Sequence, residues 1–583
     1  MGKLKKNSRS SRHRSNPLAV SRKATSSKQD EQLTKNKILP LIAKLKSTTP
    51  NEKSMALGSI AVMSDDPKFR KLLLKERLVQ IVLEQCLTDS NSEIVVESFG
   101  LLRNLVLEEG YDVAVYLWRQ NIWRVIQDNL NKCVKGWHVY KVDATSLDKV
   151  AKSLLFDMIE NLISLIVGLC DSSDDIFNAV MKEMNSLREF LKDILAVALD
   201  FKNKELKITV SLFNAILDLI YDFSTISDEF VQSLTSEWDL NFELLETFVN
   251  EVPRFTNLSR VYIQGIRLQL VDISDQSAFV QIVAKILGTL TTIDIGLNRD
   301  IMLKEIDNGK LDELKMDAKK RVDARAEFQT VELSLELLTA MIELISYNDS
   351  LDAELANALC TQVRDVLIAL IPHLEFRSRA LTALNNLSWL FVSIQVPQWT
   401  SIAQQIWVEL SQLDLSQCDV EEKTSIFGCL WAILNVVPLE LDSSFVQSLC
   451  QELDSNSSSS DNVEYSIRLV GVLSMLAKQQ GQVERNLLIS QLLFNLLESD
   501  KTPSRLTFEI LDQLYDIYGD SLYDYNTPVF VSQCYLKRLE QLAPRVKTSF
   551  KLVDKNVDKE FKLKAEEIYN NLGRFIDYKK SEV

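Results

Sequence analysis

An all-α chain of stacked helical repeats is the fold that this 583-residue sequence predicts, and three features predict it. Glycine and proline are scarce, at 15 and 11 residues. Sheets and tight turns draw on both for positive-φ positions and breaks, so their shortage points to helices joined by short loops. A strongly apolar helix recurs along the chain. From Thr330 its copies start roughly 40–50 residues apart, the period of a stacked repeat unit.

Residues 1–35 are rich in Lys, Arg and Ser and nearly free of large apolar side chains. They cannot bury enough surface to offset chain entropy, which predicts disorder. Helical text runs from Ile38 to about Phe575. The apolar helix recurs at 97–108, 157–170, 209–223, 279–293, 330–345, 379–391, 425–438, 465–477 and 506–518, with amphipathic helices such as 68–87 and 228–249 between copies. Each copy is apolar nearly all round and must be covered on more than one side. Nine such helices cannot surround one core, whereas a solenoid extends without limit. The expected fold is therefore an armadillo/HEAT-type α-solenoid of roughly ten helical repeats. Its parts are the basic tail 1–35, armadillo-like repeats 36–297, a charged insertion 298–328 and HEAT-like repeats 329–583. The insertion reads as an exposed loop with helical tendency, 455–462 as a flexible loop and 553–583 as a capping helix.

The formal net charge of −15 hides a split. Residues 1–28 hold nine Lys and Arg and no acid, leaving −24 for residues 29–583. An acidic body repels nucleic acid and attracts basic proteins, so strong direct nucleic-acid binding is not expected. The eight cysteines are scattered with no metal-binding or redox spacing, and read as small buried residues of a reducing compartment. The apolar stretch 162–170 is about half of the roughly 20 residues that a membrane span needs, and no secretory segment opens the chain. A soluble intracellular protein is expected. With three histidines, no phosphate loop and no nucleophile in a recognisable setting, neither an enzyme nor a metal or cofactor site is expected.

Two motifs carry function. In the tail, Lys3, Lys5, Lys6 and Arg9 precede Arg12, His13 and Arg14, and Pro17-Leu18 follows. This resembles the proline-tyrosine class of nuclear localisation signal in its variant with Leu for Tyr. An extended segment would meet an acidic receptor through its cations while Pro and Leu fill a pocket. The alternative is a basic tail that touches RNA non-specifically. The second motif is asparagine on the recurring helices: Asn104, Asn161, Asn214, Asn385, Asn386 and Asn435, with Trp389 and Trp431. Trp431 and Asn435 lie four apart, on one helix face. The pattern resembles the Trp/Asn arrays of importin-α-type armadillo repeats, where an amide donor and acceptor hold an extended peptide by its backbone. These amides could equally satisfy backbone groups inside the stack.

The opening MGKLKKNSRSSRHRSNPLAV, the helix ESFGLLRNLVLEEG and the RALTALNNLSW helix together resemble the synchronized import protein (symportin) family over essentially the whole chain. That resemblance implies a non-enzymatic carrier, acting as a monomer, that shuttles between cytoplasm and nucleus. It implies that the carrier holds ribosomal proteins five and eleven of the large subunit, the pair that binds 5S ribosomal RNA. It further implies a transportin-type import receptor on the tail and an acidic insertion for the second cargo. Here residues 298–327 hold eight acidic and eight basic residues, a net charge of zero, which departs from that pattern. A general importin-α-like adaptor and a structural HEAT-repeat scaffold are the competing readings.

Overall fold

The computed structural model describes residues 27–238, 241–304, 311–459, 461–555 and 558–582. Helices joined by short turns make up nearly all of them, giving the all-α armadillo/HEAT-type solenoid. The sheet among the described residues is one antiparallel pairing, Leu199 opposite Leu206 and Asp200 opposite Glu205. The chain forms two compact units. One runs to Asp272 and includes Ala284–Ser334; the other comprises Ile273–Val283 and Leu335 onward.

In the first unit the helices used below are α1 (Pro50–Ser64), α2 (Ser92–Glu109), α3 (Lys149–Ser172), α4 (Val210–Ile226), α5 (Phe242–Glu251) and α6 (Asn257–Leu270). Of these α1, α2, α3, α4 and α6 stack, each against the next, and other helices cover them. Local signals set the ends. Asn91 accepts from the Glu93 amide at 2.9 Å, Asp148 from Ala151 at 2.7 Å and Thr209 from Leu212 at 3.3 Å. Helix α2 stops where Gly110 turns to φ +63°.

Helix α3 shows why these segments are apolar all round. It touches α2 and α4 and is covered by Tyr111–Arg119, Ile122–Val142 and Asp174–Lys182, so Leu162, Ile163 and Leu165–Cys170 are buried. Each fully buried Leu or Ile contributes about 1.5–3 kcal/mol. By length and composition α3 is a candidate membrane-crossing helix, which corrects the short count over 162–170: Leu154, Leu155 and Phe156 extend the apolar run. Its most apolar window is 67% buried within the fold, and that packing accounts for its hydrophobicity.

Two further helices, α7 (Gln276–Leu290) and α8 (Leu311–Ile345), are divided between the units. The second unit stacks α9 (Arg377–Ser393), α10 (Val420–Leu434), α11 (Val463–Ala477) and α12 (Ser504–Ile517) in order; α13 (Tyr535–Leu552) then packs on α14 (Lys559–Ser581), which also lies on α12. One continuous core runs through it from Phe427 to Ile576. Asp419 and Glu422 open α10 with a reciprocal capping box at 2.8 and 3.2 Å. Buried Lys579 ties down α14, donating to Glu582 at 2.8 Å and Asn526 at 3.3 Å.

Three glycines mark places where one stacked helix leaves room for a side chain of the next. A Cβ on Gly168 of α3 would stand 2.9 Å from Val106 of α2. One on Gly428 of α10 would overlap the Asn385 amide of α9, and one on Gly471 of α11 would fall inside the Trp431 ring of α10.

Several elements differ from the sequence expectation. The helix expected at 68–87 breaks into Pro67–Lys75 and Leu78–Gln85 because Arg77 adopts φ +58°. That expected at 228–249 divides into Asp228–Ser236 and α5, whose start Asn241 caps through the Leu244 amide at 3.0 Å. The charged segment from Leu311 is the front of one helix that continues through the apolar copy at 330–345. Cys534 is exposed at φ +52°, unlike the other seven cysteines, which are buried as expected.

A matched pair of substitutions tests the glycine contacts. Gly58→Ala, in an exposed stretch of α1 with nothing within 4 Å, is expected to stabilise by about 0.5–1 kcal/mol. Gly471→Ala is expected to destabilise by about 1–3 kcal/mol because the Trp431 ring must shift. Urea denaturation midpoints of the two variants should move in opposite directions.

Candidate peptide-binding surface

The tail motif, from Lys3 to Leu18, lies outside the described residues, as do 305–310 of the insertion. The other candidate residues are all placed.

In the first unit, Asn104, Asn161 and Asn214 sit on the successive helices α2, α3 and α4. Asn161 is buried and donates from Nδ2 to the Val96 carbonyl of α2 at 3.1 Å. Asn214 uses both ends of its amide. Its Nδ2 donates to Thr256 Oγ1 at 3.3 Å, and its Oδ1 accepts from Ser259 Oγ at 2.6 Å. These two amides thus join one stacked helix to its neighbour. Half-buried Asn104 differs: it accepts from Arg103 Nε at 3.1 Å, and its Nδ2 has no partner among the described residues.

Beside this row stand carboxylates that the sequence reading did not single out. Glu97 of α2 accepts from Ser54 Oγ at 3.1 Å, and Arg103 pairs with Glu160 of α3 at 3.2 Å. Burial pushes the carboxyls of Glu97, Asp157 and Glu160 above their ordinary range. The Ser153 hydroxyl and then the Arg103 charge oppose that rise at Asp157, and Arg103 opposes it at Glu160. A cationic side chain arriving here would favour the ionised forms that burial disfavours.

In the second unit the structure brings Asn385, Asn386 and Trp389 of α9 together with Trp431 of α10. The two indole rings meet edge to face, with centroids 5.0 Å apart and an angle of 85°. Trp431 also lies on Gly471, so part of its ring serves the helix stack. Asn386 donates to Glu343 Oε1 of α8 at 3.1 Å and accepts from Asn385 Nδ2 at 3.2 Å. Asn385 Oδ1 and Trp389 Nε1 are buried without hydrogen-bond partners. Asn435 is exposed one turn beyond Trp431 and donates to the Trp431 carbonyl at 2.8 Å, closing its own helix end. Chemically the patch offers two ring faces, one exposed amide oxygen and no nucleophile.

The glycines were the signal that residue counting missed. Gly428 and Gly471 stand in otherwise strong helix text, where Gly costs about 1 kcal/mol relative to Ala. At these two positions the cost is offset by a close neighbour, Asn385 at Gly428 and Trp431 at Gly471.

Stability measurements separate the roles of Trp431 and Asn435. Trp431→Ala is expected to lower stability by about 2 kcal/mol or more, since it empties the space between Trp389 and Gly471. Asn435→Ala removes one exposed bond and is expected to stay within about 0.5 kcal/mol of the parent. Equal effects in thermal unfolding would mean that Trp431 does not bridge the helices.

The comparisons with known proteins agree with the resemblance drawn from the tail and helices. A family profile described as "SYO1-like, TPR repeats" matches residues 326–583. The chain is 34% identical to Synchronized import protein 1 of Saccharomyces cerevisiae over an alignment 634 positions long, gaps included, covering 100% of this chain and 99% of that protein. It is 23% identical to Symportin 1 of Chaetomium thermophilum, covering 100% and 99% of the two chains. A Schizosaccharomyces pombe protein described as an armadillo repeat protein involved in nucleocytoplasmic transport is 25% identical, over 93% of this chain and 94% of its own. With identity of this level along both whole chains, this protein belongs to the synchronized import protein (symportin) family.

Proposed function

We propose that this protein is a nuclear import adaptor, without enzymatic activity, that carries basic cargo proteins from cytoplasm to nucleus. The observation that carries the reading is the alignment with Synchronized import protein 1, which spans 100% of this chain and 99% of that protein. The relatives' names speak of synchronized import, symport and nucleocytoplasmic transport. Within this reading the cargoes are ribosomal proteins five and eleven of the large subunit, carried together as the 5S ribosomal RNA-binding pair. The tail residues Lys3, Lys5, Lys6, Arg9, Arg12, His13, Arg14, Pro17 and Leu18 engage a transportin-type receptor.

Physical chemistry supports the assignment at two points. Residues 29–583 carry a net −24, which attracts basic proteins over distances beyond contact, most strongly at low salt. Glu97, Asp157 and Glu160 add half-buried carboxyls on α2 and α3, and Asn104 of α2 adds an open amide, so a Lys or Arg of an extended segment finds charge and hydrogen-bonding capacity on one pair of helices. A general importin-α-like adaptor would hold many peptides through free amides on successive helices. Asn161 and Asn214 are bonded inside the stack, which favours a dedicated carrier.

The test is import in cells. Deleting residues 2–18, or replacing Pro17 and Leu18 with Ala, is expected to leave a folded, cargo-binding protein that stays in the cytoplasm. Affinity capture of the intact protein is expected to recover large-subunit ribosomal proteins. Undiminished nuclear entry of the deletion variant would contradict the tail assignment, and recovery of many unrelated cargoes would favour the general adaptor.

A further inference from the structure

In the first unit a cavity of about 190 Å³ opens beside α6, lined by Asn250 of α5, by Asn257, Arg260 and Gln264 of α6, and by Lys285 and Thr289 of α7. Asn257, Arg260 and Gln264 are spaced i, i+3 and i+7, so they share one helix face. Three observations describe what the cavity lacks. Gln264 is 4% exposed, and its Oε1 is buried without a hydrogen-bond partner. The amide cannot simply be turned over, because its Nε2 donates to Glu246 Oε1 at 2.6 Å, and a carboxylate there requires the NH₂ end. Glu246 is held ionised: burial pushes its carboxyl up, but Lys285 at 2.5 Å and Gln264 outweigh that and bring it below its ordinary range. Half-buried Arg260 donates to Asn257 Oδ1 at 2.9 Å and has no acidic partner among the described residues. A guanidinium has five N–H donors in a fixed fork, and most of this one remain open.

The cavity thus presents an acceptor that needs a donor about one helical turn from a cation that needs an anion. A free oxyanion satisfies only the second need. An extended peptide satisfies both, since residues two apart along it span roughly 6.6–7.2 Å, close to the spacing of Arg260 and Gln264 on the helix face. The volume suits one residue rather than a folded segment. The cavity also continues the row described above. Thr256, which accepts from Asn214, is the neighbour of Asn257, and Asn257 donates to Thr292 at 3.1 Å and Glu327 at 3.0 Å.

We propose that this pocket takes one acidic residue of an otherwise basic bound peptide, its carboxylate on Arg260 and a main-chain N–H donated to Gln264 Oε1. The inference rests on the peptide-carrying function proposed above and adds a register-setting position to it. A cargo segment would be fixed along the acidic row by the one side chain that the row itself would repel.

The probe is a fluorescein-labelled 15-residue peptide of alternating Lys and Ala whose central Ala is replaced by Glu, Gln, Lys or phosphoserine. It is titrated by anisotropy into the full-length protein. General attraction to an acidic body makes the Glu peptide the weaker ligand than the Gln peptide. The pocket makes it the tighter one, by about ten-fold, the gain of a charge-assisted hydrogen bond. That gain is expected to disappear in Arg260→Gln and to pass to a peptide with central Lys in Arg260→Glu. The first comparison needs no variant, so it stands even if a substitution impairs folding. A Glu peptide no tighter than the Gln peptide overturns the pocket and leaves the carrier function intact. Failure of every peptide to bind overturns both. A phosphoserine peptide far tighter than the Glu peptide overturns the carboxylate assignment in favour of a phosphate site.

Discussion

Close approach between consecutive stacked helices is the constraint on which the remaining structure depends. Where Gly168 meets Val106, where Gly428 meets Asn385 and where Gly471 meets Trp431, one helix supplies no side chain and the next fills the space. Those contacts set α3 on α2, α10 on α9 and α11 on α10, and the covering helices close the rest. The near-continuous burial of α3, α10 and α11 accompanies these contacts, and α4, which has no glycine, is buried by packing between α3 and α6. Helices this apolar are stable only when covered on several sides, and repeat stacking supplies that cover within each unit.

Polar groups inside such a stack must find partners, because a buried amide without one costs about 1–3 kcal/mol. Asn161 on the Val96 carbonyl, Asn214 on Thr256 and Ser259, and the Tyr262 hydroxyl on Asp218 at 2.9 Å fix how one helix sits on the next. The groups left over are what a ligand can use. In the first unit they are the open end of Asn104, the fork of Arg260 and the Gln264 oxygen, and the half-buried carboxyls of Glu97, Asp157 and Glu160, each already holding one partner, keep further acceptor capacity. Their chemistry is acidic along the row and cationic at one pocket, a combination suited to a basic peptide with a single acidic residue.

The sequence made the recurring helices legible because all-round hydrophobicity survives any detail of packing. It concealed α6, whose Asn257, Ser259, Arg260, Gln264 and Arg267 break the apolar run although the helix stacks on α4. The left-handed turn at Arg77 was invisible because Arg carries no preference for it. The asparagines could be found but not interpreted. Composition cannot say whether an amide faces solvent, as at Asn435, or a carbonyl on the next helix, as at Asn161. The acidic row was hidden for the same reason: Glu97 and Glu160 look like ordinary surface carboxylates until the stack half-buries them.

The central claim is that cargo lies along the stacked helices rather than on the helices that cover them. Site-specific photo-crosslinking tests it directly, with benzoylphenylalanine placed at Asn104 of α2 or at exposed Asn131 of the covering helix Ile122–Val142. With recombinant large-subunit ribosomal protein five as partner, the account predicts a covalent adduct from position 104 and none from position 131. An adduct from position 131 with none from position 104 would contradict it.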